Sequence, residues 1–519
     1  MADRVNPWLY GVAALFVAMT LVWPFTQALY LPLIDLPNHI ARHTIMAAGN
    51  EGAMAAYYTS NFVLVPNSAV DLLWQVFGGG DAVVFSHRVM AFTALNFFAA
   101  ALVLSRAIHG RLSWWSLAAG LLAFHCTFLF GFQNYSFSLP FAIYAFALFL
   151  VTEERPLWLR AGLFAAIAPI LFIMHFFAFA VLGALAFGRE IQKVVEARGT
   201  RGRQMTSCGV MALPFLIPVI WLIVSLLTGP ENPAGSYTEF GNLSDRLFRR
   251  WLTPLTSWAN DLMPSLNVMA LYISLGLLAA SASVLLPARF NIGFQLNPKM
   301  RGPALVMLAA VLLAPNWLSG VALIHIRFPF VFLLIMVVSS TFRGRNATFA
   351  VVVMVTALAA TGMRGAQVGN WFAQNDAEMR QLVKLFEETL EPGDRLLPVR
   401  GPGLWTEKRH SHAQGYATAV SDAFIPTLFQ GVHAVQLKPA WADHADPLAT
   451  ANPACAVLDA IETESSHGDD CYIVPYLEDW PAKFTKMVVY EPLDPASLTD
   501  EPLELIGEEG RYQMYRIGN

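Results

Sequence analysis

The chain has 519 residues, of which 56% are hydrophobic and only 13% are charged. A soluble protein usually carries about 25% charged residues, so this composition excludes a wholly water-soluble protein. The net charge of −4 conceals two unlike parts: residues 1–363 carry 21 Lys and Arg against 13 Asp and Glu, whereas residues 364–519 carry 12 against 24. The sequence therefore predicts a membrane domain over 1–363 and an acidic soluble domain over 364–519.

Eleven apolar segments approach the roughly 20 residues that cross a bilayer. The first is too long for the apolar core of a signal peptide, so we interpret it as an uncleaved span. The predicted spans are 8–30, 83–105, 114–131, 137–152, 160–174, 176–189, 207–228, 265–287, 303–320, 328–342 and 347–363. The least certain division is within 158–188, which is either one long helix or, as we favour, two short helices that turn near His175.

The basic residues set the orientation. Alternate connections between spans hold 15 of the Lys and Arg residues, and the opposite connections hold six. Because cytoplasmic loops are enriched in Lys and Arg, the N-terminus is predicted to be cytoplasmic. The long first outer loop (31–82) and the C-terminal domain are then extracytoplasmic, at the outer face of a bacterial inner membrane.

The C-terminal part alternates helix and strand signals. Residues 375–393 have helical periodicity, and 394–399, 471–476 and 486–491 resemble strands, with a hairpin over 503–517. These patterns predict a small α/β domain on the outer membrane surface. Its two cysteines, Cys455 and Cys471, either form a disulfide or stay free, since spacing alone does not decide this.

The densest polar cluster follows the first span, in IDLPNHIARHTIM (34–46). On a helix, Asp35, His39 and Arg42 or His43 recur at i, i+4 and i+7 or i+8, and therefore share one face. A carboxylate there can accept a proton from an acceptor hydroxyl or hold a divalent cation such as Mg²⁺ or Mn²⁺. The alternative is that Asp35 is only the N-cap of a helix. A capping role for Asp35 does not explain why the other polar side chains share its face of the helix.

Cationic side chains flank two later spans. Arg88 lies at the start of the second span, and it either contacts a phosphate or anchors the helix at the interface. His325 and Arg327 precede the tenth span. A guanidinium is suited to bidentate phosphate binding, although an arginine at this place can also anchor a helix end.

Three further polar residues are candidates for sugar or acceptor contacts. Gln133 and Asn134 occupy a short turn between two spans, where polar residues are expected in any case. His175 lies in a strongly apolar run, where a histidine is commonly a hydrogen-bonding core residue.

His410 and His412 form an H-x-H pair that could bind a metal or belong to a loop that covers the membrane face. The sequence lacks the P-loop, the H-E-x-x-H zinc motif and the G-x-S-x-G elbow. The sequence therefore lacks the strongest signals of an ATP-driven pump, a zincin protease or a typical serine esterase. Nucleic acid is not implied, because the basic patches are predicted cytoplasmic loops.

The sequence resembles the GT-C class of integral-membrane glycosyltransferases, which includes protein O-mannosyltransferases and aminoarabinose lipid A transferases. The similar pieces are IDLPNHIAR in the first loop, GFQNYSFSLPF (131–141), IHIRFPF (324–330), and FEETLEPGDRLLPV with SDAFIPTLF. The shared architecture is a cytoplasmic N-terminus, a long first outer loop that begins with an acid, many short spans and a C-terminal extracytoplasmic domain.

The resemblance implies a polyprenyl-phosphate sugar donor and a hydroxyl acceptor on a lipid, glycan or protein. Asp35 would match the acid that acts as base, with His39 beside it. Arg327, with Arg88 and His325, would match the basic groups that hold the lipid phosphate, and inversion at the anomeric carbon is expected. Many relatives have a pair of acids where Leu36 follows Asp35 here, so no metal site is predicted, although a divalent cation stays open.

Three alternatives compete with this interpretation. A transporter or flippase of lipid-linked glycans would have charges near mid-span and paired broken helices, whereas charges here lie at span ends. An O-antigen polymerase or ligase would have a large central outer loop. A non-catalytic protein of envelope assembly would not need Asp35.

Overall fold

The computed structural model describes most of the chain. The described residues are 6–228, 238–259, 263–284, 293–318, 321–342, 347–399, 408–431, 434–446, 475–491 and 499–518. The helices in chain order are α1 (Pro7–Val22), α2 (Leu36–Ala48), α3 (Ala69–Phe77), α4 (Ala82–His109), α5 (Cys126–Phe130), α6 (Gln133–Val151), α7 (Leu157–Met174), α8 (Phe176–Glu196), α9 (Arg201–Thr228), α10 (Arg250–Leu252), α11 (Ser265–Ser283), α12 (Arg301–Leu313), α13 (Pro329–Ser339), α14 (Ala347–Thr389), α15 (Gly415–Ser421) and α16 (Trp480–Lys483).

A helix or helical pair lies within each of the eleven predicted spans, although the predicted span 303–320 is helical only as far as Leu313. Within the described ranges, seven helices are long and apolar enough to cross a membrane. The third span is built from a 3₁₀ helix (Trp114–Leu122) followed by α5, and a 3₁₀ turn (Ile324–Arg327) leads into α13. The polytopic helical membrane fold is therefore confirmed.

The segment 158–188 forms two helices, as favoured from the sequence. His175 separates α7 from α8 with an extended backbone at φ −168° and ψ 127°. Its Nδ1 atom accepts a hydrogen bond from the backbone N–H of Phe177 at 3.0 Å and so caps the second helix. The cap fixes both the turn and the position of the imidazole.

A single 43-residue helix, α14, joins the last predicted span to the C-terminal part. The predicted span 347–363 and the predicted helix 375–393 belong to this one helix. The predicted domain boundary at residue 364 falls inside it, so a continuous helical backbone connects the two parts.

The strands of the described residues form four small sheets. They are β1 (Tyr58–Ser60), β2 (Thr238–Glu239), β3 (Phe294–Leu296), β4 (Trp317–Leu318), β5 (Val321–Ala322), β6 (Ser340–Phe342), β7 (Leu396–Val399), β8 (Val435–Leu437), β9 (Lys486–Val489), β10 (Leu503–Glu509) and β11 (Tyr512–Ile517). The largest sheet has the order β10-β11-β9-β7, with β7 parallel to β9 and the other pairs antiparallel.

This sheet confirms the predicted C-terminal α/β unit. Strands β7 and β9 lie where 394–399 and 486–491 predicted them, and β10 and β11 form the predicted hairpin, which turns at Gly510 with φ +60°. Most of the predicted strand 471–476 lies outside the described residues, as do Cys455 and Cys471. The disulfide therefore stays a prediction.

The first outer loop and the C-terminal part are joined by several contacts. Strand β1 of the loop pairs antiparallel with β8 of the C-terminal part, with Tyr58 opposite Leu437. On α14, the Asp376 carboxylate accepts hydrogen bonds from the backbone N–H groups of Leu29 and Tyr30 at 2.7 and 2.8 Å. These bonds fix the chain just before α2, the helix that begins beside Asp35.

We expect Gly415→Val to destabilise this junction. Helix α15 packs against α2 so closely that a Cβ atom at residue 415 would lie 2.5 Å from the Pro37 carbonyl oxygen. Overpacking of this kind typically costs about 1–3 kcal/mol. Thermal unfolding and limited proteolysis in detergent should show a lower melting temperature and faster cleavage of the C-terminal part. Gly209→Ala is the control, because no atom lies within 4 Å of a Cβ there. Wild-type behaviour of Gly415→Val would contradict the close packing.

Candidate functional site

A polar cavity of about 280 Å³ lies where α2, the start of α6, the α7–α8 turn and the C-terminal part meet. Its lining combines acidic, basic, amide and aromatic side chains. The lining residues are Asp35, His39, Arg42, Asn67, Phe132, Gln133, Asn134, Tyr135, His175, Arg327, Phe429 and Gln430. Seven of them were predicted from the sequence as site residues.

Asp35 starts α2 without capping it. Its side chain accepts no hydrogen bond from the first turn, so the cap-only interpretation is wrong. Its backbone N–H donates to the Phe130 carbonyl at 3.0 Å, which fixes the residue against the turn before α6. The carboxyl is 13% exposed and lines the cavity. Burial raises its pKa to about 8, although the Arg327 guanidinium opposes this rise.

Arg327 faces the cavity from the turn before α13. Its guanidinium donates to the Ala322 carbonyl at 3.0 Å and lies 4.7 Å from the Phe132 ring centroid and 4.5 Å from that of Phe177. The residue is 7% exposed, and within the described ranges no carboxylate oxygen lies within 4 Å of it. An arginine that is buried, ringed by aromatics and not ion-paired is arranged to receive an anion.

The first turn of α6, and not the loop before it as predicted, supplies amide groups that lack partners. Gln133 is fully buried, and neither its oxygen nor its nitrogen has a hydrogen-bond partner in the described structure. The Asn134 oxygen accepts from the Val70 N–H at 2.7 Å, which leaves its Nδ2 group without a partner. Because buried amides are costly to leave unpaired, these groups are suited to hydrogen-bond a polar ligand or ordered water.

A buried ion pair holds α2 against α3 behind the cavity. Arg42 donates to both oxygens of Asp71, at 2.7 and 3.0 Å, and to His39 Nδ1 at 3.1 Å. Since His39 Nδ1 accepts this bond, its proton lies on Nε2. Burial and the nearby Arg42 charge hold the pKa of His39 well below its usual range. The imidazole is therefore a neutral hydrogen-bond donor.

Three predicted site residues lie away from the cavity lining. His43 binds Asp71 through Nε2 at 3.2 Å and stacks on Trp74, because the ion pair draws it toward α3. Arg88 is exposed on α4 and does not line the cavity. His325, in the 3₁₀ turn before α13, does not line the cavity, and the charges that act on its imidazole most strongly are those of Arg250 and Asp245.

Sequence reasoning missed two residues that shape the site. Asp71 was not considered, although an acid in an amphipathic helix of the outer loop is a detectable signal. His412 was considered only as a metal ligand or part of a covering loop. In the structure its Nε2 atom lies 3.9 Å from Asp35 Oδ1, whereas His410 binds the Tyr512 hydroxyl at 2.9 Å. The two histidines thus belong to different clusters.

The donor set fits a divalent cation poorly. Mg²⁺ and Mn²⁺ prefer several oxygen ligands, and Asp35 is the one carboxylate among the described lining residues. No group of three or more His, Cys, Asp or Glu residues with metal-binding geometry occurs within the described ranges. The facing Arg327 adds a like charge. The lining residues therefore do not favour a bound metal ion.

Comparison with solved structures places this architecture in a known class: the chain has the fold of the GT-C integral-membrane glycosyltransferases. It is similar to ArnT from Cupriavidus metallidurans in the apo state, with TM-score 0.50 and 12% identity over 97% of each chain. It is also similar to that protein bound to undecaprenyl phosphate, with TM-score 0.50 and 13% identity over 99% of this chain and 98% of the other. Mycobacterial AftD gives TM-score 0.49 and 15% identity over 100% of this chain and 40% of its own. No family model and no curated protein matches the sequence.

We expect Asp35→Asn to stabilise the protein. The pKa of the carboxyl is about 3.8 in the unfolded chain and about 8 in the fold, so its ionisation opposes folding increasingly as the pH rises between these values. The gain should be on the order of 1–3 kcal/mol at pH 8 and smaller at pH 5. Melting temperatures in detergent at the two pH values test this. Glu51→Gln, at an exposed glutamate, is the control. A loss of stability would mean that the carboxylate has a structural partner.

Proposed function

We propose that this protein is a membrane glycosyltransferase that moves a sugar from a polyprenyl-phosphate-linked donor to a hydroxyl group of a lipid, glycan or protein acceptor. The transfer would occur at the extracytoplasmic face of the inner membrane. One observation carries the proposal: Asp35, free of a capping role, and Arg327, without an ion-pair partner in the described structure, line the same polar cavity. The GT-C fold supports it.

In this proposal Asp35 is the general base. It takes the proton of the acceptor hydroxyl while that oxygen attacks the anomeric carbon and the bond from this carbon to the phosphate oxygen breaks. The lipid phosphate leaves with the bonding electron pair, and a single displacement inverts the anomeric centre. Asp35 must be ionised to act, so its raised pKa makes it a stronger base that is available mainly near and above pH 8.

Arg327 is the proposed phosphate-binding residue. The leaving phosphate gains negative charge as the glycosidic bond breaks, and a guanidinium that is already desolvated stabilises this charge without reorganisation. The aromatic side chains around it, Phe132 and Phe177, exclude water and hold the guanidinium in place. His39 can add a hydrogen bond through Nε2–H.

The amide side chains of the lining are suited to sugar hydroxyls. Gln133 and Asn134 have unpaired donors or acceptors, and Asn67 and Gln430 line the same cavity. Asp35 is the one carboxylate among the described lining residues, so a cationic sugar would meet Arg327 without a second acid to compensate. The lining therefore favours a neutral sugar.

Asp35→Asn is expected to abolish sugar transfer, with a loss of at least about 10²-fold, because general-base catalysis typically contributes 10²–10⁴-fold. Transfer is measured with a radiolabelled polyprenyl-phosphate sugar in detergent or liposomes. In the wild-type protein, kcat/KM should rise about tenfold per pH unit below pH 8 and level off above it, since the ionised form is the active one. Full activity of a folded Asp35→Asn protein would exclude the base role and favour a flippase or a non-catalytic envelope protein.

Arg327→Ala is expected to weaken binding of undecaprenyl phosphate by about 10- to 100-fold, the equivalent of losing a charge-assisted contact of about 1.5–3 kcal/mol. Arg327→Lys should recover part of the affinity, because it keeps the charge and loses the bidentate geometry. Binding is measured by ligand-induced thermal stabilisation. Arg88→Ala is the matched control, since Arg88 is exposed and does not line the cavity. Equal affinity in Arg327→Ala and the wild type would overturn the assignment.

A further inference from the structure

The C-terminal part places one buried histidine beside the candidate base. His412 lies between the 3₁₀ turn Lys408–His410 and α15, is 1% exposed, and directs Nε2 toward Asp35 Oδ1 at 3.9 Å. Its ring packs edge-on against Phe429, which lines the cavity. The separation is about 1 Å longer than a hydrogen bond, so a small shift of either side chain would close it.

Neighbouring hydrogen bonds settle which nitrogen of His412 carries the proton. Asn38 Nδ2 lies 3.0 Å from the Thr427 carbonyl oxygen, which only accepts, so this atom must be the amide NH₂ group. The same Nδ2 atom lies 2.9 Å from His412 Nδ1. His412 Nδ1 therefore accepts a hydrogen bond, and the proton of the neutral ring is on Nε2, which faces Asp35.

We propose that His412 is a positioning residue for Asp35: its Nε2–H group donates to the carboxylate during transfer, orients it toward the acceptor hydroxyl and favours its ionised form. This inference rests on the proposed function of Asp35 as base. His412 cannot serve as a second base in this arrangement. The neutral ring has one nitrogen lone pair that can accept a proton, on Nδ1, and this lone pair accepts the hydrogen bond from Asn38.

The other groups that face Asp35 differ in kind. The cavity brings His39 and Arg42 from α2, Tyr135 from α6, His175 from the α7–α8 turn and Arg327 from the turn before α13. Arg42 is paired with Asp71, and His175 Nδ1 is used as a helix cap. The C-terminal part adds the Gln430 amide to the lining and His412 at 3.9 Å from the Asp35 carboxyl.

The proposal makes the C-terminal part a component of the active site. Asn38, which fixes the tautomer, is on α2, whereas His412 and Thr427 are on the C-terminal part. The hydrogen-bond chain that prepares the base thus crosses the junction between the first outer loop and that part. Separation of the two would remove the donor from Asp35 without changing the membrane helices.

Two substitutions of His412 separate positioning from packing. His412→Leu removes the donor and nearly keeps the volume, and His412→Gln retains an N–H near the position of Nε2. We expect His412→Leu to lower kcat about tenfold or more and to move the rise of kcat/KM with pH upward by about one unit, with donor-lipid affinity unchanged. His412→Gln should restore most of kcat and most of the wild-type pH profile. His410→Gln, on the same segment but bonded to Tyr512, should keep the wild-type pH profile.

A second readout does not need enzymatic activity. A hydrophobic carbodiimide labels protonated carboxyl groups, and peptide mass spectrometry of the full-length protein reports labelling at Asp35 against pH. If loss of the donor weakens ionisation tenfold, labelling of Asp35 at pH 9 should be about five times greater in His412→Leu than in the wild type. Asn38→Ala, which keeps the imidazole but frees its tautomer, should shift the labelling curve in the same direction by less.

These outcomes distinguish the inference from the function on which it rests. Identical labelling curves in the wild type, His412→Leu and Asn38→Ala would overturn the role of His412, whatever the activity. A labelling curve that is shifted in His412→Leu, together with a wild-type protein that transfers no sugar, would refute the proposed function and keep the contact between His412 and Asp35. If His412→Leu does not fold, an unchanged curve in Asn38→Ala overturns the inference.

Discussion

The site depends on a carboxylate and a guanidinium that are buried in one cavity without neutralising each other directly. Asp35 has no partner in the first turn of its helix, and Arg327 has no carboxylate within 4 Å in the described structure. Burial of a charge without a close partner costs several kcal/mol. The packing of the surrounding elements must offset that energy.

Three independent contacts hold Asp35 in place despite the free-energy cost of burying its charge. The Asp71 carboxylate binds Arg42 and His43 and so holds the middle of α2 against α3. On α14, Asp376 binds the backbone just before α2. Gly131 brings the turn after α5 so near that a Cβ there would lie 3.0 Å from the Asp35 backbone nitrogen. Because each contact comes from a different part of the chain, three separate elements fix α2 and the Asp35 carboxyl at its start.

The sequence could predict those features that depend on local patterns. Hydropathy located the apolar helices of the membrane domain, and helical spacing put Asp35, His39 and Arg42 on one face, where the cavity now places them. Local patterns could not show that the His43 side chain lies outside the cavity. Its hydrogen-bond partner, Asp71, is 28 residues away in the sequence. Arg88 was indistinguishable in sequence from an arginine that faces a ligand, since an exposed and a buried helix face differ only in tertiary contacts.

The approach of His412 to Asp35 spans more than 370 residues and was beyond any local pattern. It depends on three structural features that act together: the continuous helix α14, the pairing of β1 with β8, and the packing of α15 on α2. A long unbroken helix keeps its two ends in a fixed relative position, because backbone hydrogen bonds join each turn to the next. The C-terminal part is therefore held in register with the membrane helices by a rigid connection as well as by surface contacts. That arrangement allows a side chain outside the membrane helices to lie within 4 Å of a carboxyl at their surface, with a tautomer fixed by α2 itself.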